Sequence, residues 1–351
     1  PILVLSSLFV SLRARADENI SAQGDYFEAR VIEILREKEL IREDGSQTFQ
    51  QNLKLKGMTG NWKNKEVVSE GITDLEVMNS GVYKKGDRVM VNAVATFNGN
   101  TQFYITDYVR RGSLYWLGLL FAIVILAIGK WKGFKALLGL VISFGVIMKF
   151  MIPQILGGKN PLFISLIGCF VIITVLIYIT DGWKRESHIA IASVFFSLMI
   201  TLILSLVFSR LSRLTGLGQE EALYLIGSTA AAIDFRGLLL AGILIGTLGV
   251  LDDGVISQIE TVKQLKKANP QWSNIQIFQS AFAVGNAHLG AMVNTLFLTY
   301  VGASLPLLLL FMLQKSSSLG YAQVINSEVI ATEIIRTLVG SIGVALALPI
   351  S

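Results

Sequence analysis

Two adjacent carboxylates, Asp252 and Asp253, close a glycine-rich apolar run that begins at Gly237, and a lone imidazole, His288, follows in the next apolar run. Carboxylates and imidazoles are the side chains that carry protons in membranes, and a carboxylate next to hydrocarbon is costly enough that it is usually kept for function. At helical periodicity Gly242, Gly246, Gly249, Asp253, Ser257 and Glu260 share one continuous face, with Asp252 about 100° around the axis. The smooth glycine half of that face predicts close approach by a neighbouring helix. Two readings stay open for its acidic half. Either the helix ends at the membrane surface with both acids solvated, or the pair is buried against other helices and works as a proton or ion site.

Other polar groups stand in apolar surroundings. In the run 284–302, His288, Thr295, Thr299 and Gly302 share a face, and Gly290 and Asn294 share another. His288 either fixes helix packing through a hydrogen bond or exchanges protons with Asp252 or Asp253. Glu333 and Arg336, at i and i+3 in the last apolar run, form either a structural ion pair or a gate. No metal and no cofactor is expected. There is one cysteine, Cys169, and two histidines, so neither a disulfide within the chain nor a Cys/His metal cage can be built. The chain carries no H-E-x-x-H, no P-loop and no G-x-S-x-G. An aspartyl pair of Asp181 with Asp252 or Asp253 lacks the glycine-flanked aspartate that such chemistry uses. The chain is therefore expected not to be an enzyme.

The elements that must position these groups follow from hydropathy. Of 351 residues 52% are apolar, and they concentrate in long runs after residue 113, the mark of a polytopic membrane protein. Spans are expected at 114–129, 134–152, 162–180, 189–208, 238–251, 288–313 and 329–350, with a short polar segment at 220–233 read as re-entrant or interfacial. An eighth span, or a signal peptide, would come from Pro1–Val10, which precedes an Ala14-Arg15-Ala16 pattern. Residues 17–110 differ in kind. Segments starting at Tyr26, Gln47, Asp87 and Thr101 alternate with period two, and Gly/Asn turns at Glu43, Met58, Lys84 and Phe97 separate them. They predict a small antiparallel barrel, OB-like in size. The organisation expected is thus 1–16 as leader or first helix, 17–110 as an outer β-rich domain, and 111–351 as a bundle of seven or eight helices.

Charge sets the orientation. Lys130, Lys132 and Lys135 follow the first span, Lys184 and Arg185 the third, and Lys263, Lys266 and Lys267 the glycine-rich one. With the β-rich domain outside, all three clusters fall in the cytoplasm if 220–233 does not cross. The net charge of +5 thus belongs to membrane-flanking loops and implies no nucleic acid. The stretch from Glu260 to Asn269-Pro270 reads as a basic amphipathic helix on the inner face.

Four stretches carry a family resemblance: Gly246-Thr-Leu-Gly-Val-Leu-Asp-Asp-Gly-Val-Ile-Ser-Gln, Val284-Gly-Asn-Ala-His-Leu-Gly-Ala-Met-Val-Asn-Thr-Leu, Tyr300-Val-Gly-Ala-Ser-Leu-Pro-Leu, and Asn326-Ser-Glu-Val-Ile-Ala-Thr-Glu-Ile-Ile-Arg-Thr-Leu-Val-Gly. Together they resemble the YibE/F family of bacterial membrane proteins over residues 110–350, departing at Asn286, where many relatives are expected to be charged. The resemblance implies the fold and a bacterial cytoplasmic membrane, and no settled activity. Residues 237–300 are also similar, over that stretch alone, to the proton-driven resistance–nodulation–division and SecDF-type transporters, which would make Asp252 or Asp253 the protonatable site. The expectation is a proton- or ion-coupled secondary transporter. The alternative is a scaffold or accessory subunit whose outer β-domain binds a protein partner, and a homo-oligomer fits either reading.

Overall fold

A computed structural model of the chain describes residues 25–41, 47–72, 82–96, 100–218, 222, 224–226, 233–313 and 325–351. The expected leader segment, the turn at Glu43 and most of 220–233 lie outside them. The chain divides into two compact units, 1–121 and 122–351.

The first unit is a five-stranded antiparallel sheet: β1 Asp25–Ile41, β2 Gln47–Gly57, β3 Glu66–Glu70, β4 Arg88–Ala95 and β5 Thr101–Tyr108, in the order β3-β2-β1-β4-β5. Period-two alternation puts Phe27, Ala29, Val31, Leu53, Leu55, Val89, Val91 and Ala93 on the buried face. The seventeen-residue β1 pairs with β4 over Asp25–Arg30 and with β2 from Ala29 to Ile41. Register shifts at Val31/Glu33 and Ile34/Arg36 let one strand serve both neighbours, because a bulge bends the strand and increases its twist. The result is a half-barrel. Its edge strands approach each other, with the Ser69 hydroxyl donating to the Phe103 carbonyl at 2.7 Å. Trp62, on a 3-10 turn at Gly60–Trp62, stacks on Phe27 (5.8 Å) and meets Phe103 edge-on (4.8 Å), filling the open mouth. Strand β3 was not anticipated. Its five residues alternate too briefly to stand out, and the charged Arg36–Glu39 likewise concealed the far half of β1.

The second unit holds α1 Arg111–Val146 from residue 122 on, a π-helical turn Ile147–Met151, α2 Ile152–Leu156, α3 Pro161–Asp181, α4 Arg185–Leu211, α5 Phe235–Ala268, α6 Asn274–Ala303, α7 Leu305–Leu313 and α8 Glu328–Ile350. Among the described residues six helical stretches are long and apolar enough to cross a membrane: Arg111–Leu156, α3, α4, α5, α6 and α8. The 46-residue Arg111–Leu156 stretch would reach about 69 Å if straight, twice a hydrocarbon core. It is broken at Lys130 (φ 47°, ψ −123°) into the two arms expected as separate spans, and Gly133 takes its place against the Ile125 carbonyl because it has no Cβ.

Two expectations shift. The basic segment 260–269 is no separate surface helix: α5 runs unbroken for 34 residues, about 51 Å, and stops at Asn269. Between Asp253 and Lys267 only Gly254 disfavours a helix and no proline stands there, so the amphipathic stretch continues the span. The expected 288–313 span is instead α6, which starts at Asn274 on a Ser273–Gln276 capping box, and α7, set off by Ser304 before Pro306.

The three basic clusters gather at one end of the bundle. Lys135 donates to the Thr180 carbonyl (3.2 Å), Lys132 acts electrostatically on Glu260, and Lys263 on Glu186 and Asp181. At the opposite end Arg236 donates to the Ser209 carbonyl (3.0 Å), and Glu328 accepts from the Thr215 and Gly216 amides. Helices α4 and α5 are therefore antiparallel neighbours that leave and re-enter at the same end.

Candidate functional site

Helix α5 carries the polar groups from one half of the bundle to the other. The predicted stripe Gly242, Gly246, Gly249, Asp253, Ser257, Glu260 is real and continuous, but it is the exposed face of α5. The buried face is Leu240, Ile243, Leu244, Thr247, Leu248, Leu251 and Val255. No helix backbone among the described residues seats on the glycines. A Cβ at Gly249 would meet nothing within 4 Å. At Gly246 it would strike the Tyr300 hydroxyl of α6, and at Gly242 it would lie 3.9 Å from Nη2 of Arg336 on α8.

Close helix approach occurs elsewhere, on a stripe not singled out from the sequence. Ser193, Ser197, Thr201, Ser205 and Ser209, spaced by four along α4, are all buried. Gly343 of α8 abuts Thr201, and Gly340 lies against Thr247 of α5 (3.0 Å from its would-be Cβ). Small and hydroxyl side chains let membrane helices pack backbone to backbone. The fourfold Ser/Thr spacing was the available signal, and it was hidden because a serine reads as weakly polar rather than as part of a packing face.

Two polar stations lie along α5. The first is in the half nearer Phe235. Arg336 and Glu333 form an ion pair at 3.1 Å, both less than a fifth exposed. The guanidinium lies over the Tyr300 ring, 5.5 Å from its centroid. Arg336 Nε and the Tyr300 hydroxyl are buried and have no hydrogen-bond partner among the described residues. The second station, ten residues and about 15 Å further along the axis, is Asp252 and Asp253. They differ sharply: Asp253 is exposed and Asp252 is half-buried, with Oδ1 inside the bundle and unpartnered among the described residues. Asp253 and Asp181, at the end of α3, both act electrostatically on Asp252. About 12 Å beyond Asp252, Glu260 accepts from Lys263 (3.0 Å) and Gln264 (2.6 Å), and Glu260 and Lys263 line a small charged cavity with Asp181, Lys184 and Glu186.

The remaining predicted residues are placed as follows. Ser257 is exposed, its carbonyl accepting from Thr261. His288, Asn294 and Thr295 lie on the exposed side of α6, and the Thr295 hydroxyl bonds the Ala291 carbonyl. No hydrogen bond or ion pair joins His288 to Asp252 or Asp253 among the described residues. Cys169 is buried in α3. No group of three or more His, Cys, Asp or Glu side chains among the described residues is placed to hold a metal ion.

Among the described residues the arrangement holds one half-buried carboxylate with an unpartnered Oδ1, and one guanidinium with an unpartnered Nε in the other half. A family model described as YibE/F-like protein matches residues 117–351. No curated protein and no solved structure matches the chain. The local similarity of residues 237–300 to proton-driven transporters gains nothing from these comparisons.

Proposed function

The chain belongs to the YibE/F-like family of integral membrane proteins, and from that premise we propose that it is a proton- or ion-coupled secondary transporter in which Asp252 is the coupling group and Asp253 its solvent-side neighbour. One observation carries the reading: the Oδ1 of Asp252 is buried and unpartnered among the described residues, with Asp253 and Asp181 acting on it. A carboxylate kept in that position without a counter-ion is suited to bind and release a proton or a small cation. The Glu333–Arg336 pair, about 15 Å along α5, serves as the gate on the other side. The bundle's basic end is placed in the bacterial cytoplasm by the positive-inside rule, which puts the sheet outside as a closing barrel of OB type.

Purified protein in proteoliposomes, assayed with and without a pH gradient over a panel of ions and small solutes, tests this reading. Flux that depends on the gradient and is lost in Asp252→Asn supports it. No flux with any solute, or flux indifferent to Asp252→Asn, removes it. A second reading, a scaffold or subunit that assembles through its membrane face, has one observation in its favour. His288, Asn294 and Thr295 sit on the exposed side of α6, where polar groups facing lipid would need a covering partner or second copy.

A further inference from the structure

The half of the bundle near Phe235 contains a cavity of about 310 Å³, within the range of small-molecule pockets. Its walls are mainly aliphatic, among them Met151 of the π-helical turn, Ile152 of α2, and Leu239 and Ala241 of α5. Two polar side chains break that lining. Ser165 of α3 is fully buried, and its hydroxyl has no hydrogen-bond partner among the described residues. Arg336 of α8 also lines the cavity. Its Nη1 is held by Glu333, its Nη2 lies beside Gly242, and its Nε is buried and unpartnered. A buried polar atom without a partner costs free energy, and two such atoms on residues that line one cavity favour a ligand that supplies acceptors. The π-helical turn adds a local widening of the helix wall, a feature that frequently marks functional sites.

We infer that this cavity binds an anionic amphiphile, an apolar chain ending in a single carboxylate or phosphate, with the anion on Arg336 and a hydrogen bond from Ser165. The charge selects the class. A guanidinium with free donors takes an oxyanion, and aliphatic walls take a hydrocarbon chain. Glycine at 242 leaves room beside the guanidinium, since any side chain there would approach Nη2. Arg336 also belongs to the proposed gate, and the two readings are told apart because occupancy is measured without flux.

The test is equilibrium binding of radiolabelled dodecanoate to the purified full chain in a neutral maltoside detergent. One saturable site per chain is expected, displaced by dodecyl phosphate and not by dodecanol, dodecyltrimethylammonium or acetate at the same concentration. The double variant Glu333→Gln, Arg336→Gln, which removes both charges together, should bind at least tenfold more weakly while eluting as the wild type does. Equal displacement by dodecanol, or wild-type affinity in the double variant, overturns the inference. If the double variant does not fold, Ile152→Trp fills the cavity without touching either charge, and undiminished binding to it overturns the inference equally. Repeating the assay in nanodiscs identifies the source. Competition by phosphatidylglycerol and not by phosphatidylcholine supports the site with a bilayer headgroup as occupant. Binding unchanged in both supports it with a free amphiphile.

Discussion

Asp252 and Asp253 are neighbours in sequence, yet the helix turns them into different surroundings, one within the bundle and one exposed. If coupling runs through this site, the two must respond unequally to the same substitution. Asp252→Asn keeps the shape and fixes the neutral form, so gradient-driven flux should fall by at least tenfold while the protein still inserts and elutes normally. Asp253→Asn removes a like charge from beside Asp252 and should shift the pH profile of flux while retaining most of its rate. Flux measured in proteoliposomes across pH 5–8 checks both, and equal loss in the two variants would show that the helix position does not matter. The same logic weakens the expected partnership with His288. The sequence places it one span away from the acids, but the structure puts it on the exposed side of α6, with no bond to either. His288→Gln should therefore leave the pH profile intact.

At the scale of elements, α8 packs closely on α4 and α5, whereas the glycine face of α5 is exposed among the described residues. Gly343→Val would drive a branched side chain into Thr201 and should destabilise the protein by about 1–3 kcal/mol, the usual cost of overpacking. Gly249→Ala faces open space and should be neutral or stabilising by up to ~1 kcal/mol through helix propensity. Thermal unfolding of the detergent-solubilised variants compares them. The sheet offers a pH dependence of definite sign. Arg110 holds the Asp107 carboxyl below the usual range through a 2.6 Å ion pair, and Lys54 does the same to Glu66 at 2.7 Å. A lowered folded-state value adds stability that is present above the unfolded value and is lost as pH falls through the folded one. The sheet should thus be insensitive to pH between 6 and 8 and soften below about pH 4. The effect should be small, since both pairs are exposed. Trp62 fluorescence, with the other tryptophans replaced by Phe, reports it, and Asp107→Asn should flatten part of the acid limb. What was legible here was periodic: four of five strands, and the cores of the spans. The α5 glycine stripe is the exposed face among the described residues. Glycine spacing states smoothness and says nothing of which neighbour arrives. The burial of Leu240, Ile243, Leu244 and Leu251 on the opposite side decided that, and bulky residues were the stronger signal.

For the whole molecule, the connection between α4 and α5 governs which groups share a membrane face. Ser209 and Arg236 meet at 3.0 Å, so the chain leaves α4 and enters α5 at one end, and the basic clusters around Lys132, Lys184 and Lys263 gather at the other. From sequence this turned on whether 220–233 crosses, since a short polar segment has neither the length nor the hydropathy to settle it. The positive-inside rule then predicts the basic end in the cytoplasm and the sheet outside. In a Cys169→Ala background, which removes the single buried thiol, Lys54→Cys on β2 should react with a membrane-impermeant maleimide in intact cells. Lys266→Cys near the end of α5 should react only after the cells are permeabilised. If the break at Lys130 makes the two arms of Arg111–Leu156 separate crossings, these with α3, α4 and α5 put five crossings between the two positions, and they should disagree under every condition that preserves the membrane. Labelling of both residues in intact cells would mean an even number of crossings, as when the Arg111–Leu156 stretch crosses only once. Labelling of Lys266→Cys alone would invert the protein and place the Asp252 end outside.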